Sequence, residues 1–139
     1  MKKIFLSAAA LIFLFAACKK SSSSSTSIDK TKLIGTWMRT YTATDLNNNG
    51  SIDASEKTPL SSGDYEYMTY KSDGTGLDSF NSGFGSGTSA IVWSVTANWL
   101  TLNLSGFGTE ISQVTQLDDH NLILLDTSRH PAVWGIFAK

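Results

Sequence analysis

"IVWSVTANWLTLNL", residues 91–104, decides the fold. Leu100, Leu102 and Leu104 share one face of an extended chain, and Thr101 and Asn103 share the other. Upstream, Ile91, Trp93 and Val95 alternate with Val92 and Ser94 in the same way. A strand points successive side chains to opposite faces, so this period of two marks a sheet with one buried side. Only Ala97 and Asn98 separate the two runs, which predicts a tight antiparallel hairpin of 89–96 and 99–104. One hairpin cannot cover its own apolar face, so further strands must complete it.

They are found on both sides. Upstream, Leu33–Thr44 and Tyr65–Lys71 read as strands, and "SDGT", residues 72–75, supplies an Asp-Gly turn into a strand over 76–80. "NSGFGSG", residues 81–87, is expected to be a plain flexible loop, since a phosphate-cradling glycine loop needs a helix after it and none is signalled. Downstream, 109–117 and 121–127 flank "DDH", and 132–137 closes the chain. Ile111, Gln113, Thr115 and Leu117 form a mixed row, which predicts a half-wetted strand. The sum is eight short strands in sequence order. An all-β, eight-stranded antiparallel meander can close into a barrel and lose its exposed edges. Eight strands leave room for packed side chains or for one small ligand.

"DLNNNGSIDASE", residues 45–56, interrupts the pattern after the first strand. It has the spacing of a twelve-residue EF-hand calcium loop. Asp45 stands at position 1, Asn47 and Asn49 at 3 and 5, and Ser51 at 7 with its backbone carbonyl; Asp53 stands at 9 and Glu56 at 12 as the bidentate carboxylate. Gly50 takes the sharp turn and Ile52 is the apolar residue that would pin the loop. A metal-free polar turn explains "NNNG" equally well. It explains neither Glu56 nor Ile52. The expected cofactor is therefore Ca2+, held weakly, in the range of roughly 10⁻⁴ to 10⁻³ M. The loop would be hung between strands, with one helical turn over 54–57 carrying Glu56 and Pro59 ending it.

The beginning of the chain fixes the compartment. Lys2 and Lys3 precede a 14-residue apolar run, Ile4–Ala17, too short for the roughly 20 residues of a spanning helix and suited to a secretory signal. Leu14-Phe15-Ala16-Ala17-Cys18 resembles a bacterial lipobox, with Phe15 in place of the usual leucine, and Cys18 is the single cysteine. Residues 1–17 are expected to be a lipoprotein signal peptide, Cys18 the lipidated residue, and 18–32 a serine-rich tether to a domain over 33–139. Removing the signal takes away Lys2 and Lys3 and moves the net charge from −1 to −3. Such a mildly acidic chain has no electrostatic footprint for nucleic acid. It is expected to act as a monomer, bound to the bacterial envelope through the lipid, at the outer membrane and facing the periplasm.

Nothing in the sequence signals catalysis. His120 and His130 lie in turns, no serine sits in a nucleophile motif, and three consecutive residues, Asp118, Asp119 and His120, rarely converge on one metal. Asp78 and Glu110 are acids whose spatial relation the sequence hides. No enzyme is expected.

"LIGTW", with Gly35 and Trp37, is similar to the G-x-W motif that opens the first strand of lipocalins. The order of hairpins after it resembles the small lipocalin-like lipoprotein domains of Bacteroidota-type bacteria, over roughly 33–139. The T-D-Y motif and the C-terminal helix of full lipocalins are missing. Arg129 precedes the last strand, so no arginine is assigned to stack on Trp37. The resemblance implies that the barrel binds a small hydrophobic ligand. The alternative is a filled barrel acting through its surface, as a structural or accessory protein-interaction module of the envelope.

Overall fold

The computed structural model describes residues 27–139, and the expected signal peptide, Cys18 and most of the expected tether lie outside them. A helical turn, α1 (Lys30–Leu33), leads into β1 (Gly35–Thr44). A 3-10 turn (Ala54–Glu56) and a short β2 (Lys57–Pro59) follow. Then come β3 (Tyr65–Tyr70), β4 (Thr75–Ser82), β5 (Gly85–Thr96), β6 (Trp99–Leu104), β7 (Gly108–Leu117), β8 (Asn121–Asp126) and β9 (Val133–Ala138).

Each of β3 to β8 pairs antiparallel with the next, and β1 pairs with both β3 and β9, so β1 and β3–β9 close as an eight-stranded barrel. The eight strands expected from alternation are all present. β2 is additional and lies outside the ring, against Tyr41–Ala43 of β1. It can do so because β1 is shared along its length. Gly35–Met38 pairs with β3, a bulge follows between Arg39 and Tyr41, and the remainder up to Thr44 pairs only with β9 and β2. The bulge lies in the ladder with β9, while on the other edge the pairing with β3 ends at Met38 and leaves Tyr41–Ala43 to β2.

Two boundaries differ from the sequence reading. Leu33, expected to open the first strand, ends α1 and is fully buried; Asp29 caps this turn by accepting from the Thr31 amide at 3.0 Å. The segment 81–87 is not a loop, since β4 and β5 pair out to Ser82–Gly85, leaving Gly83 and Phe84 as the turn. Its glycines and serines bury little, and ladder hydrogen bonds between the two strands hold the segment instead.

The filled end of the barrel is built on Trp37, Tyr70, Ile91, Leu100, Leu122 and Phe137. Trp37 is 0% exposed and donates Nε1–H to the Leu33 carbonyl at 2.8 Å. Tyr70 and Trp93 meet edge to face at 5.6 Å. The cation missing from the sequence comparison is Lys139, whose Nζ lies 4.8 Å from the Trp37 ring centre and donates to the carbonyls of Lys32 and Ile34. Its stem explains Gly35. A Cβ there would meet Lys139 Cε at 2.5 Å, and the backbone has φ +128°. A separate buried pair, Ala43 and Trp134, lies outside this core; alternation against Thr42 and Gly135 puts it on the outer face, beside the departure of the 45–56 loop.

Candidate functional site

The β3–β4, β5–β6 and β7–β8 turns and α1 gather at the filled end, where the Ile28 amide donates to Ala97 O and the Lys139 amide to His120 O. The β4–β5, β6–β7 and β8–β9 turns and the long β1–β3 connection gather at the other end. There the inward rows change character. The row of β3 runs from Tyr70 and Met68 to Glu66, that of β4 from Gly76 to Asp78 and Phe80, and that of β7 from Val114 and Ser112 to Glu110. Arg39 continues the inward row of β1 beyond Trp37.

These rows surround a cavity of about 630 Å³. Met68, Leu102, Leu124 and Phe137 supply its apolar surface, Arg39, Glu66, Asp78 and Glu110 its charges, and Asp126 and Arg129 also line it. Arg39 and Glu66 face each other where the β1–β3 ladder ends, one rung past Met38 and Tyr67. Their N–O distance is 2.8 Å, and the guanidinium lies over the Phe137 ring at 5.1 Å. Burial pushes the Glu66 carboxyl up to about 7, against the pull of Arg39 and with help from the charges of Asp78 and Glu110. Asp78 is also raised, by burial foremost, although Arg39 draws it down. It is 7% exposed and its Oδ1 has no hydrogen-bond partner. The same burial raises the Tyr70 hydroxyl, which donates to Met68 Sδ at 3.1 Å.

Sequence reasoning missed this cavity. Arg39 and Glu66 carried no motif, and Asp78 and Glu110 stood alone. The available signal was parity, since each of the four falls on the inward side of its strand. Trp37 and Trp93 pack in the filled half of the barrel, and Trp99 is partly exposed. His120 and His130 are exposed, and Asp118 holds its own turn by accepting from the amides of His120 and Asn121.

The calcium-type loop sits at the same end as the cavity. β1 delivers the chain to Asp45, whose amide donates to Ala132 O at 3.0 Å. Gly50 has φ +73°, the left-handed turn its position requires. Asp45 accepts from the amides of Asn49 at 3.0 Å and Gly50 at 2.9 Å. Glu56, carried by the 3-10 turn, closes the loop by accepting from Leu46 at 2.9 Å and Asp53 at 3.1 Å. Asn47 and Asn49 both direct Nδ2 to Asp53 Oδ2, at 2.8 and 3.1 Å, and the Ser51 amide donates to Asn49 Oδ1 at 2.7 Å. Asp45 and Glu56 are 5% and 6% exposed, and among the described residues no Lys, Arg or His pairs with either, nor with Asp53. Buried carboxylates without a cation fit a metal ion chemically. Among the described residues no three His, Cys, Asp or Glu side chains are grouped as metal ligands would be. A calcium set here would have to draw on the two asparagine oxygens and the Ser51 carbonyl.

No family model matches the chain, and no curated protein matches it. Solved structures do. A lipocalin-like protein from Bacteroides uniformis superposes with a TM-score of 0.53 at 15% identity, over 78% of this chain and 98% of that one. An uncharacterized protein from Bacteroides eggerthii gives 0.52 at 12% identity, over 77% and 98%. At these identities the likeness shows the fold, a lipocalin-like barrel.

Proposed function

We propose that this chain is a lipid-anchored envelope protein whose barrel binds a small ligand at its open end, with a calcium ion clipping the 45–56 loop beside the mouth. One observation carries the ligand reading: half of the barrel is packed solid, and the other half encloses a cavity of about 630 Å³. That volume lies within the usual range of small-molecule sites. The expected hydrophobic ligand is best drawn with a polar head, because the apolar floor lies among four charged side chains. The packed half fits a filled barrel too, but a scaffold gains nothing from an Asp78 carboxylate that burial opposes and no cation pairs. Native mass spectrometry of the protein as isolated tests the ligand reading. A reproducible small-molecule adduct, lost when Leu102→Trp narrows the cavity, is the expected result, and an adduct-free protein that takes up no small molecule on titration counts against it.

The anchor is proposed from the sequence. Cys18→Ser is expected to abolish incorporation of a clickable fatty acid and to leave the precursor uncut at this position; undiminished labelling refutes the lipoprotein assignment. With the tether entering at the filled end, the mouth would face away from the membrane and into the periplasm.

The calcium clip makes a thermodynamic prediction. An ion bound by the folded chain alone stabilises by RT ln(1 + [Ca]/Kd), about 1.4 kcal/mol at ten times Kd. The melting temperature should rise with millimolar calcium, respond less to magnesium, and return with a chelator. Glu56→Gln and Asp45→Ala should remove the calcium increment, whatever they do to the metal-free protein. Asn48→Gly should keep it, since Asn48 already sits at φ 54° and stands at a non-ligand position. A wild-type protein indifferent to calcium makes 45–56 a polar turn.

A further inference from the structure

We infer that the ligand of the barrel is an organic cation, an amine carrying an apolar body, and that Asp78 is the residue that receives its ammonium group. The inference rests on the small-ligand reading above and assigns its chemical class.

Three carboxylates, Glu66, Asp78 and Glu110, line the cavity wall on β3, β4 and β7, against one guanidinium, Arg39 on β1. Arg39 is already engaged, with Glu66 at 2.8 Å and its plane over Phe137. Neither of the other two acids forms an ion pair among the described residues. Asp78 is the most buried of the three, since Glu66 keeps 17% of its side chain exposed and Glu110 is exposed. It is more than nine-tenths buried, lines the cavity, and leaves Oδ1 without any donor. A buried acceptor without a donor is costly, and a buried carboxylate more so, unless something supplies the hydrogen bond. A ligand ammonium at the cavity face of this carboxylate would supply the charge, and rotation of the carboxylate about χ2 would bring Oδ1 into reach of its hydrogen bond.

An anionic ligand fits less well. It would have to draw Arg39 away from Glu66 and lie among three acids. The second unpartnered atom, Arg39 Nε, does not favour it, because this nitrogen packs against the wall, 3.7 Å from where a Cβ on Gly135 would stand. The body of the ligand is set by Met68, Leu102 and Leu124, which face the same space. The upward displacement of the Glu66 and Asp78 carboxyls agrees with this geometry, since burial raises both and Arg39 offsets it only in part.

The test is calorimetric titration of the purified full chain at pH 8 with 2-phenylethylamine, 2-phenylethanol and 3-phenylpropionate, which share an apolar body and differ in head group. The amine should bind at least tenfold more tightly than the alcohol, and the carboxylate more weakly than either. Asp78→Asn keeps the shape and removes the charge, so it should weaken the amine at least tenfold and leave the alcohol unchanged. Because it relieves a buried charge, this variant is expected to fold. Binding of the carboxylate or the alcohol as tightly as the amine, or an amine affinity indifferent to Asp78→Asn, overturns the cation assignment and leaves the small-ligand reading standing. Absence of binding by all three also overturns it, and the adduct measurement described above then decides separately whether the cavity holds another ligand.

Discussion

Trp37→Ala is expected to destabilise the protein by about 3–5 kcal/mol, the cost of truncating a buried tryptophan. Three layers of structure meet at this side chain. The ring is fully buried among the residues that fill the closed end, its Nε1 ties β1 to α1 through the Leu33 carbonyl, and Lys139 covers it from the last strand. Alanine would leave a void in a barrel that cannot collapse without breaking its ladders, and would also orphan the Leu33 carbonyl. Urea denaturation of wild type and variant measures the loss directly. Lys139→Met separates the contributions. It keeps most of the stem over Gly35 but removes the charge and its hydrogen bonds to the Lys32 and Ile34 carbonyls, so it should cost about 1–3 kcal/mol, less than the tryptophan itself. A Trp37→Ala protein as stable as wild type would mean that the closed end is not the foundation of the barrel.

The same tryptophan shows why most of the fold is legible in the sequence and most of the site is not. Leu100, Leu102 and Leu104 announce their strand because burial of one face imposes a period of two, and Ala97-Asn98 announces the hairpin because two residues permit little else. β2 leaves no such mark. Lys57, Thr58 and Pro59 are all exposed, and they form a strand because the β1–β3 ladder stops at Met38 and leaves the edge at Tyr41–Ala43 free for them. Residues 85–88 are extended for a similar reason, pairing rather than burial. The 45–56 segment stands out because its spacing is local; the helical turn expected over 54–57 is a 3-10 turn that ends at Glu56, and Lys57–Pro59 goes into β2, so Pro59 does not end it. The cavity is not local. Arg39, Glu66, Asp78 and Glu110 lie on four strands, and only the closure of β1 on β9 and the register of the β3–β4 and β6–β7 ladders bring them round one space. A charged residue on an inward row looks, in sequence, like a lapse in the pattern. Here the lapses cluster at one end, which is what a site on an otherwise regular fold should do.

The acids at that end also give the stability an unusual dependence on pH. Glu66 has its carboxyl raised from 4.5 to about 7, so between these values the folded state holds a proton that the unfolded chain has released. Stability then falls as pH rises, because the slope follows the difference in bound protons, unfolded minus folded, and this is negative. The contribution is fully present below the unfolded value, is lost progressively as pH climbs through about 7, and is flat beyond. Asp78 acts with the same sign. The carboxylates with lowered values, Asp29, Asp73, Asp118 and Asp126, act with the opposite sign, but below about pH 4, where they leave this window clear. Glu66 is only 17% exposed, so its shift converts to about 3 kcal/mol lost between pH 4.5 and pH 8, at roughly 1.4 kcal/mol per unit. Urea midpoints at pH 5 and pH 8 should show the wild type weaker at the higher pH. Glu66→Gln removes the titration while keeping an oxygen for the Arg39 guanidinium, so it should be more stable than wild type at pH 8 and should lose most of the slope. A wild-type protein whose stability holds or rises from pH 5 to pH 8, or a Glu66→Gln variant less stable than wild type at pH 8, would mean that Arg39 pays the whole desolvation cost of Glu66 and that the open end of the barrel carries no unbalanced negative charge.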